Sequence, residues 1–156
     1  MKPRDLSSAR PDAFCMLYWP TMKPDISVII PTWNRAPVLS RALDSVLSQK
    51  GPSFEVLVID DGSKDSSVKI LRAVRGISLI AKPRNQGKGA ALNTGIAAAK
   101  GSAIATIDSD TYPSKDSLVK MVPMLAGNVG AVTGFVRAAN AKGLVEKIQE
   151  IEYLVA

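Results

Sequence analysis

From Asp25 onward, short apolar runs alternate with longer stretches in which apolar residues recur every three or four positions. Ile26-Ser-Val-Ile-Ile30 is β-branched and meets Pro31, so it reads as a buried strand stopped by the proline. Val38, Leu39, Ala42, Leu43, Val46 and Leu47 then share one helical face. Pro37 suits the first turn of that helix, and Gly51-Pro52 ends it. Phe54 to Ile59 is the second strand. Val68, Ile70, Leu71 and Val74 mark a helix of about ten residues, closed by Gly76. Ile77 to Ala81 is the third strand, Lys82 to Lys88 a polar loop, and Gly89 to Lys100 an Ala-rich helix ended by Gly101. Ala103 to Ile107 is the fourth strand. Ser114 is placed as the N-cap of a helix reaching about Met121, with Asp116 in its first turn. Val129 to Val136 predicts a fifth strand. Leu144, Ile148, Ile151 and Val155 predict a terminal helix. Residues 1–24 carry four prolines and no periodicity, and read as a flexible arm before a domain at 25–156.

Apolar strands alternating with amphipathic helices predict an α/β fold with a mainly parallel sheet and helices on both faces. In such sheets ligands bind at the carboxyl ends of the strands. The polar clusters fall there: Thr32-Trp33-Asn34, Asp60-Asp61, Asn85 to Lys88, and Asp108 with Asp110. Four separate strand-to-helix junctions thus point donors and acceptors at one edge.

Composition narrows the chemistry of that edge. The 156 residues include no histidine and one cysteine, Cys15. Imidazole-based catalysis, histidine metal sites, an internal disulfide and a four-cysteine zinc site are excluded. Carboxylates, lysine, arginine, hydroxyls and backbone remain, and a bound metal would be a hard cation on oxygen. The net charge of +6 favours anionic partners. No stretch approaches the about 18 apolar residues of a membrane span, and no secretory signal is read at the start. Aromatics make up 5% of the chain, so the core must be built from Val, Ile, Leu and Ala.

Two carboxylates two apart at a strand end would point to one side if the strand continued. They would repel unless something positive lay between them, and Mg²⁺ or Mn²⁺ is the simplest such group. Asp-x-Asp also occurs as a solvated loop. Asp60-Asp61-Gly62-Ser63 reads equally as a plain turn or as a carboxylate presented to the imide N–H of a uracil ring. Lys88 stands near a helix N-terminus, where dipole and ammonium both favour phosphate. The same glycines are compatible with an open loop carrying a solvated lysine. The segment is neither a Walker A loop nor a dinucleotide fingerprint. Trp33 can stack on a base or cover the sheet edge.

Together these segments resemble the N-terminal half of a family 2 glycosyltransferase with the Rossmann-like GT-A nucleotide-diphospho-sugar fold. The resemblance rests on Ile26 to Asn34, Val58 to Ser63, Asn85 to Gly95, Thr106 to Thr111, Val129 to Gly134 and Gln149 to Tyr153. The later blocks are similar to processive synthases of poly-N-acetylglucosamine, chitin, hyaluronan or cellulose type. The resemblance implies a UDP-sugar donor, with UDP-N-acetylglucosamine the first candidate, and an inverting transfer. Pro31, Thr32, Asn34 and Asp61 would hold the uracil, with Asp60 supporting the pocket. Lys88 would lie by the diphosphate, and Asp108 and Asp110 would bind ribose and Mg²⁺ or Mn²⁺. The family's general base lies farther along than the matched blocks, and Glu146, Glu150 and Glu152 do not match it. No catalytic residue is therefore assigned. The acceptor, a sugar chain or a lipid-linked sugar, stays open.

The alternative is a nucleotide-sugar-binding or assembly module without turnover, completed by a partner docking on Leu144, Ile148 and Ile151. The resemblance also implies a cytoplasmic chain, peripheral contact with the cytoplasmic face of a membrane and self-association being left open. A haloacid-dehalogenase-type phosphotransferase fits poorly, because Tyr112 stands where that motif wants Thr or Val. Nucleic-acid binding is disfavoured by the lack of a basic cluster interleaved with aromatics.

Overall fold

Seven consecutive buried residues make β1, Ile26–Thr32, the centre of the molecule's sheet. The computed structural model describes residues 23–135 and Gly143. Two compact units divide it: residues up to 43 with 52–111, and residues 44–51 with 112 onward.

In the first unit, β2 (Phe54–Asp60), β3 (Ser78–Ala81) and β4 (Ala103–Thr106) join β1 in a four-stranded sheet of order β3-β2-β1-β4. Every pairing is parallel. Three helices make the crossovers: α1 (Ala36–Leu47), α2 (Ser67–Ala73) and α3 (Lys88–Ala98). The chain steps outward from β1 to β3, then returns to place β4 on the other side of β1. Right-handed crossovers therefore put α1 and α2 on one face and α3 on the other. Ile29, Leu57 and Ile59 pack with Ala91 and Leu92 of α3. The alternate residues Val28, Ile30, Val56 and Val58 are just as buried on the opposite face. Every buried hydrophobic among the described residues is Ile, Val, Leu or Ala, as the low aromatic content requires. Gly95 brings α3 close to the sheet: a Cβ there would fall 2.5 Å from Ile29 Cγ2.

The strands are where the apolar runs place them, with shifted ends. Pro31 does not stop β1; it pairs in register with Ile59. Ile29 O accepts from Ile107 N and Thr32 O from Asp61 N. The pleat thus turns Pro31 toward the β4 side, where the ladder has already ended at Thr106. A missing N–H costs nothing there. β2 runs one residue further than expected, through Asp60, and β4 ends one sooner. α2 has 7 residues rather than about ten, because Val74 is already extended (φ −83°, ψ 129°).

In the second unit, Ser114 does not cap a helix. Its hydroxyl donates to Asp116 Oδ1 at 2.9 Å, its carbonyl accepts from Ser117 N, and α4 (Ser117–Met121) starts after Asp116. A 3₁₀ turn at Val122–Met124 follows. Gln49 extends the buried stripe of α1 by three residues and clamps this unit. Its Nε2 donates to Ser45 O and Ser114 O (3.1 and 2.6 Å), and its Oε1 accepts from Leu118 N (3.2 Å). The fifth strand does not form over residues 129–135. Gly130 and Gly134 interrupt the run, and Val129 and Phe135 are exposed. Val136, Cys15, most of the N-terminal arm and the terminal helix expected from Leu144 lie outside the described residues. No helix among the described residues is long and apolar enough to cross a membrane.

Candidate functional site

The crevice between β1 and β4, where strand order reverses, is where a doubly wound sheet receives ligands. A cavity of about 430 Å³ opens there, within the size range of small-molecule sites. Four strand ends and the loops that follow them build it: Pro31, Thr32, Trp33 and Arg35 at the end of β1 and after it, Asp61 after β2, Asn85, Gly87 and Lys88 after β3, and Asp108 to Asp110 after β4. A second hollow of about 400 Å³ shares Trp33 and Asn85 and is lined by Asp60, Gly62, Ser63, Lys64, Lys82 and Arg84. Trp33 is 50% exposed, so it forms a wall to both.

The Asp60-Asp61 pair divides its work. Asp60 Oδ2 accepts from Ser63 N at 2.9 Å and closes the turn. Gly62 takes φ +75° there, and a Cβ would stand 2.6 Å from the Arg84 carbonyl carbon. Asp61 points the other way and pins the next loop. Its Oδ1 accepts from Lys82 Nζ at 2.6 Å, and its Oδ2 from Gln86 N and Gly87 N at 2.9 and 2.7 Å. Burial pushes the Asp61 carboxyl up. The Lys82 hydrogen bond, the two backbone N–H groups and the Lys82 charge outweigh it, and the net result lies below the ordinary 3.8. Asp61 is thus ionised and holds the glycine-rich loop at the mouth of α3.

Asn34 is a brace. It adopts φ 51°, a conformation asparagine tolerates. Its N–H donates to Ser63 Oγ and its Oδ1 accepts from Lys64 N, both at 2.8 Å. Asp65 completes the brace: its Oδ2 accepts from Ala36 N at 3.1 Å and caps α1 from the neighbouring loop. Thr32 and Asp60 are register partners, so their side chains leave the sheet on one face. Thr32 Oγ1 and Asp60 Oδ1 are buried and find no hydrogen-bond partner among the described residues.

Asp108 and Asp110 do not continue β4. Thr111 N donates to Asp108 O at 2.9 Å, so the pair sits on a turn. Both carboxylates nevertheless line the cavity, each beside a cation. Lys88 Nζ lies 2.6 Å from Asp108 Oδ1, and Arg35 Nη2 lies 3.6 Å from Asp110 Oδ2. The donor set fits a hard divalent cation: two carboxylates, no imidazole or thiolate. Among the described residues no cluster of three or more His, Cys, Asp or Glu could hold a metal. Other oxygens, from water or a ligand phosphate, would have to complete the shell. Gly87 and Gly89, at the start of α3, face space where a Cβ would meet nothing within 4 Å among the described residues. Backbone N–H groups of a first helical turn beside such space suit a phosphate.

Of the residues singled out from the sequence, Pro31, Thr32, Asp61, Lys88, Asp108 and Asp110 come together around the cavity. Asn34 and Asp60 stand behind it as supports. Sequence reasoning missed Arg35, Lys82 and Asp65. Lys82 directly follows an apolar strand and Arg35 directly follows the Asn34 turn, which are the signals that mark a cation at this edge.

Comparison with known proteins agrees with this fold. The family model described as "Glycosyl transferase family 2" matches residues 27–153. The succinoglycan biosynthesis protein ExoO of Rhizobium meliloti (strain 1021) is 40% identical over 64% of this chain and 29% of its own length. The poly-beta-1,6-N-acetyl-D-glucosamine synthase of Staphylococcus epidermidis is 33% identical over 82% of this chain and 32% of its own. The chain thus spans about a third of the length of these relatives. Among solved structures, the mannosyltransferase PcManGT from Pyrobaculum calidifontis, in complex with GDP-Man and Mn²⁺, matches at TM-score 0.67 and 30% identity. That match covers 76% of this chain and 37% of the other. S. aureus TarS 1–349 in complex with UDP-GlcNAc matches at TM-score 0.61 and 25% identity, over 73% and 38%.

Proposed function

Because the chain belongs to glycosyl transferase family 2, we propose that the cavity between β1 and β4 is the donor site of a sugar transferase. The donor is UDP-N-acetylglucosamine, held with Mg²⁺ or Mn²⁺. The observation that carries this reading is the convergence of four loops on one cavity, with Lys88, the N-terminus of α3, Asp108 and Asp110 around it. The comparisons support the donor class: one structural neighbour binds UDP-GlcNAc and one relative is an N-acetylglucosamine polymer synthase.

Each residue then has a task. Trp33 and the Thr32 segment flank the uracil, while Asp61, saturated by Lys82 and the loop N–H groups, sets the floor of that subsite. Lys88 and the first turn of α3 take the diphosphate. Asp108 and Asp110 hold the cation, which supplies Lewis-acid neutralisation of the leaving diphosphate. In the transfer, an acceptor hydroxyl oxygen bonds to the anomeric carbon from the face opposite the diphosphate. The bond from that carbon to the β-phosphate oxygen breaks, and its electron pair leaves on UDP. The hydroxyl proton goes to a base. The acceptor is a growing sugar chain or a lipid-linked sugar.

One observation favours a second reading, a module that binds donor without turnover. The carboxylates lining the cavity are Asp61, Asp108 and Asp110. Each is engaged by a cation or backbone N–H groups, so among the described residues no lining carboxylate stands ready as the base. Calorimetric titration with UDP, UDP-N-acetylglucosamine and GDP-mannose, with and without Mn²⁺, separates the cases. Metal-dependent binding of the uridine ligands, weakened at least about tenfold in Asp110→Ala, is expected. Binding of equal strength without metal refutes the metal role, and preference for GDP-mannose refutes the donor. Release of UDP distinguishes transferase from binding module.

A further inference from the structure

Each carboxylate that would hold the divalent cation is already covered by a side-chain cation, Asp108 by Lys88 and Asp110 by Arg35. The cations reach them from two other loops, one after β1 and one after β3, and all four residues line the same cavity. Their side chains are 51–62% exposed, so the pairs are held by charge and not by packing. The backbone of Arg35 is fixed: its N–H donates to Ser67 Oγ at 3.1 Å, and the next residue is capped by Asp65. Only its side chain is free to swing.

We propose, resting on the donor-site reading, that Arg35 is a positioning residue that stands in for the metal on Asp110. Without donor, its guanidinium keeps that carboxylate aimed into the cavity and competes with a divalent cation for it. When cation and nucleotide enter together, the guanidinium passes to the diphosphate. Charge arithmetic supports the exchange. Two carboxylates against Lys88 and Arg35 sum to zero. A divalent cation and the doubly negative diphosphate of a nucleotide sugar also sum to zero. Exchanging partners leaves the site neutral, whereas either ligand alone leaves two charges uncompensated. Arginine suits the second post, because its planar fork can take two diphosphate oxygens at once. At 3.6 Å its contact with Asp110 is loose. An exposed pair of that kind holds back a competitor by no more than about fivefold.

The test measures Mn²⁺ binding to the full chain from the spectrum of free aquo-Mn²⁺, with and without UDP, and UDP binding by calorimetry at saturating Mn²⁺. In Arg35→Gln, Mn²⁺ alone is expected to bind about three- to fivefold tighter. UDP in Mn²⁺ is expected to bind at least about tenfold weaker. Arg35→Lys, which keeps the charge but not the fork, falls between in both. The two opposite shifts are the signature, since a variant that merely damaged the fold would lose both affinities. Mn²⁺ binding that is unchanged or weaker in Arg35→Gln, or UDP binding that is unchanged, overturns the proposal. The donor-site reading fails by a different result: wild-type chain whose Mn²⁺ affinity does not rise when UDP is added, which also removes the proposal's premise.

Discussion

Replacing Asp61 with asparagine tests whether that residue organises the site or only touches a ligand. The wild-type carboxylate accepts three hydrogen bonds, at 2.6, 2.9 and 2.7 Å. Its side chain is 4% exposed and that of Lys82 10%. Asparagine keeps the shape but turns one oxygen into an NH₂ donor. Whichever way the amide faces, a donor meets either the Lys82 ammonium or the N–H groups of Gln86 and Gly87. Lys82 then keeps a buried charge without a counter-charge. Removing one member of a buried pair costs about 3–5 kcal/mol. In a chain of this size that lowers Tm by about 6–12 °C at the low end of the range. Urea unfolding followed by circular dichroism measures it. Asp61→Asn with Lys82→Met should recover much of the loss, because the stranded ammonium is gone. The pH dependence gives a second arm. The folded carboxyl lies below its ordinary 3.8. Its stabilising share is therefore complete above that value and fades as pH falls through the lower folded one. Asp61→Asn should flatten that acid limb. A single-variant loss under about 1 kcal/mol refutes the clamp. So does a double variant that loses more than the single.

Two further substitutions probe the scaffold. Gly95→Ala would add helix propensity of about 1 kcal/mol on an open surface. Here the added methyl falls 2.5 Å from Ile29 Cγ2, so a net loss of about 1–3 kcal/mol in urea unfolding is expected, partly restored by Ile29→Val. Gln49→Ala strands the Leu118 N–H that Gln49 Oε1 now satisfies and leaves the Ser114 carbonyl with Ser117 N alone. A loss of about 1–3 kcal/mol is expected. Faster hydrogen exchange at Leu118, with no change at the sheet amides, checks that the effect stays in the second unit.

What was legible in the sequence was whatever depends on neighbours along the chain. β1 and β2 are fully apolar because parallel strands are buried on both faces. Four polar clusters follow four apolar runs in the sequence, and the structure gathers residues of all four around one cavity. The misplaced ends have local causes that a pattern does not weigh. Pro31 is tolerated because of which side its missing N–H faces, and that depends on where β4 stops. The fifth strand expected over Val129 to Val136 follows from its valines, and the two glycines among them, Gly130 and Gly134, weigh against it.

What was illegible depends on partners far along the chain. Asp60-Asp61-Gly62-Ser63 is a turn and a site element at once, and the division falls between adjacent residues. Asp60 bonds three residues ahead, while Asp61 bonds to Lys82, Gln86 and Gly87, more than twenty residues away. Nothing in the tetrapeptide says which carboxylate does which. Asn34 shows the same limit. Its place after β1 is right for a ligand contact, yet its amide oxygen is taken by Lys64 N from the next loop. The two loops after β1 and β2 are therefore one rigid body, fastened by Asn34, Ser63, Asp65 and Ser67. The loop after β3 is fastened to it through Asp61. The turn after β4 is joined to the others at the cavity by the ion pairs of Arg35 and Lys88, among the described contacts. Those are the half-exposed contacts, which cost little to break. The site is thus stiff where a nucleotide would be positioned and loose where charge would be exchanged, the distribution that metal-assisted departure of a diphosphate needs.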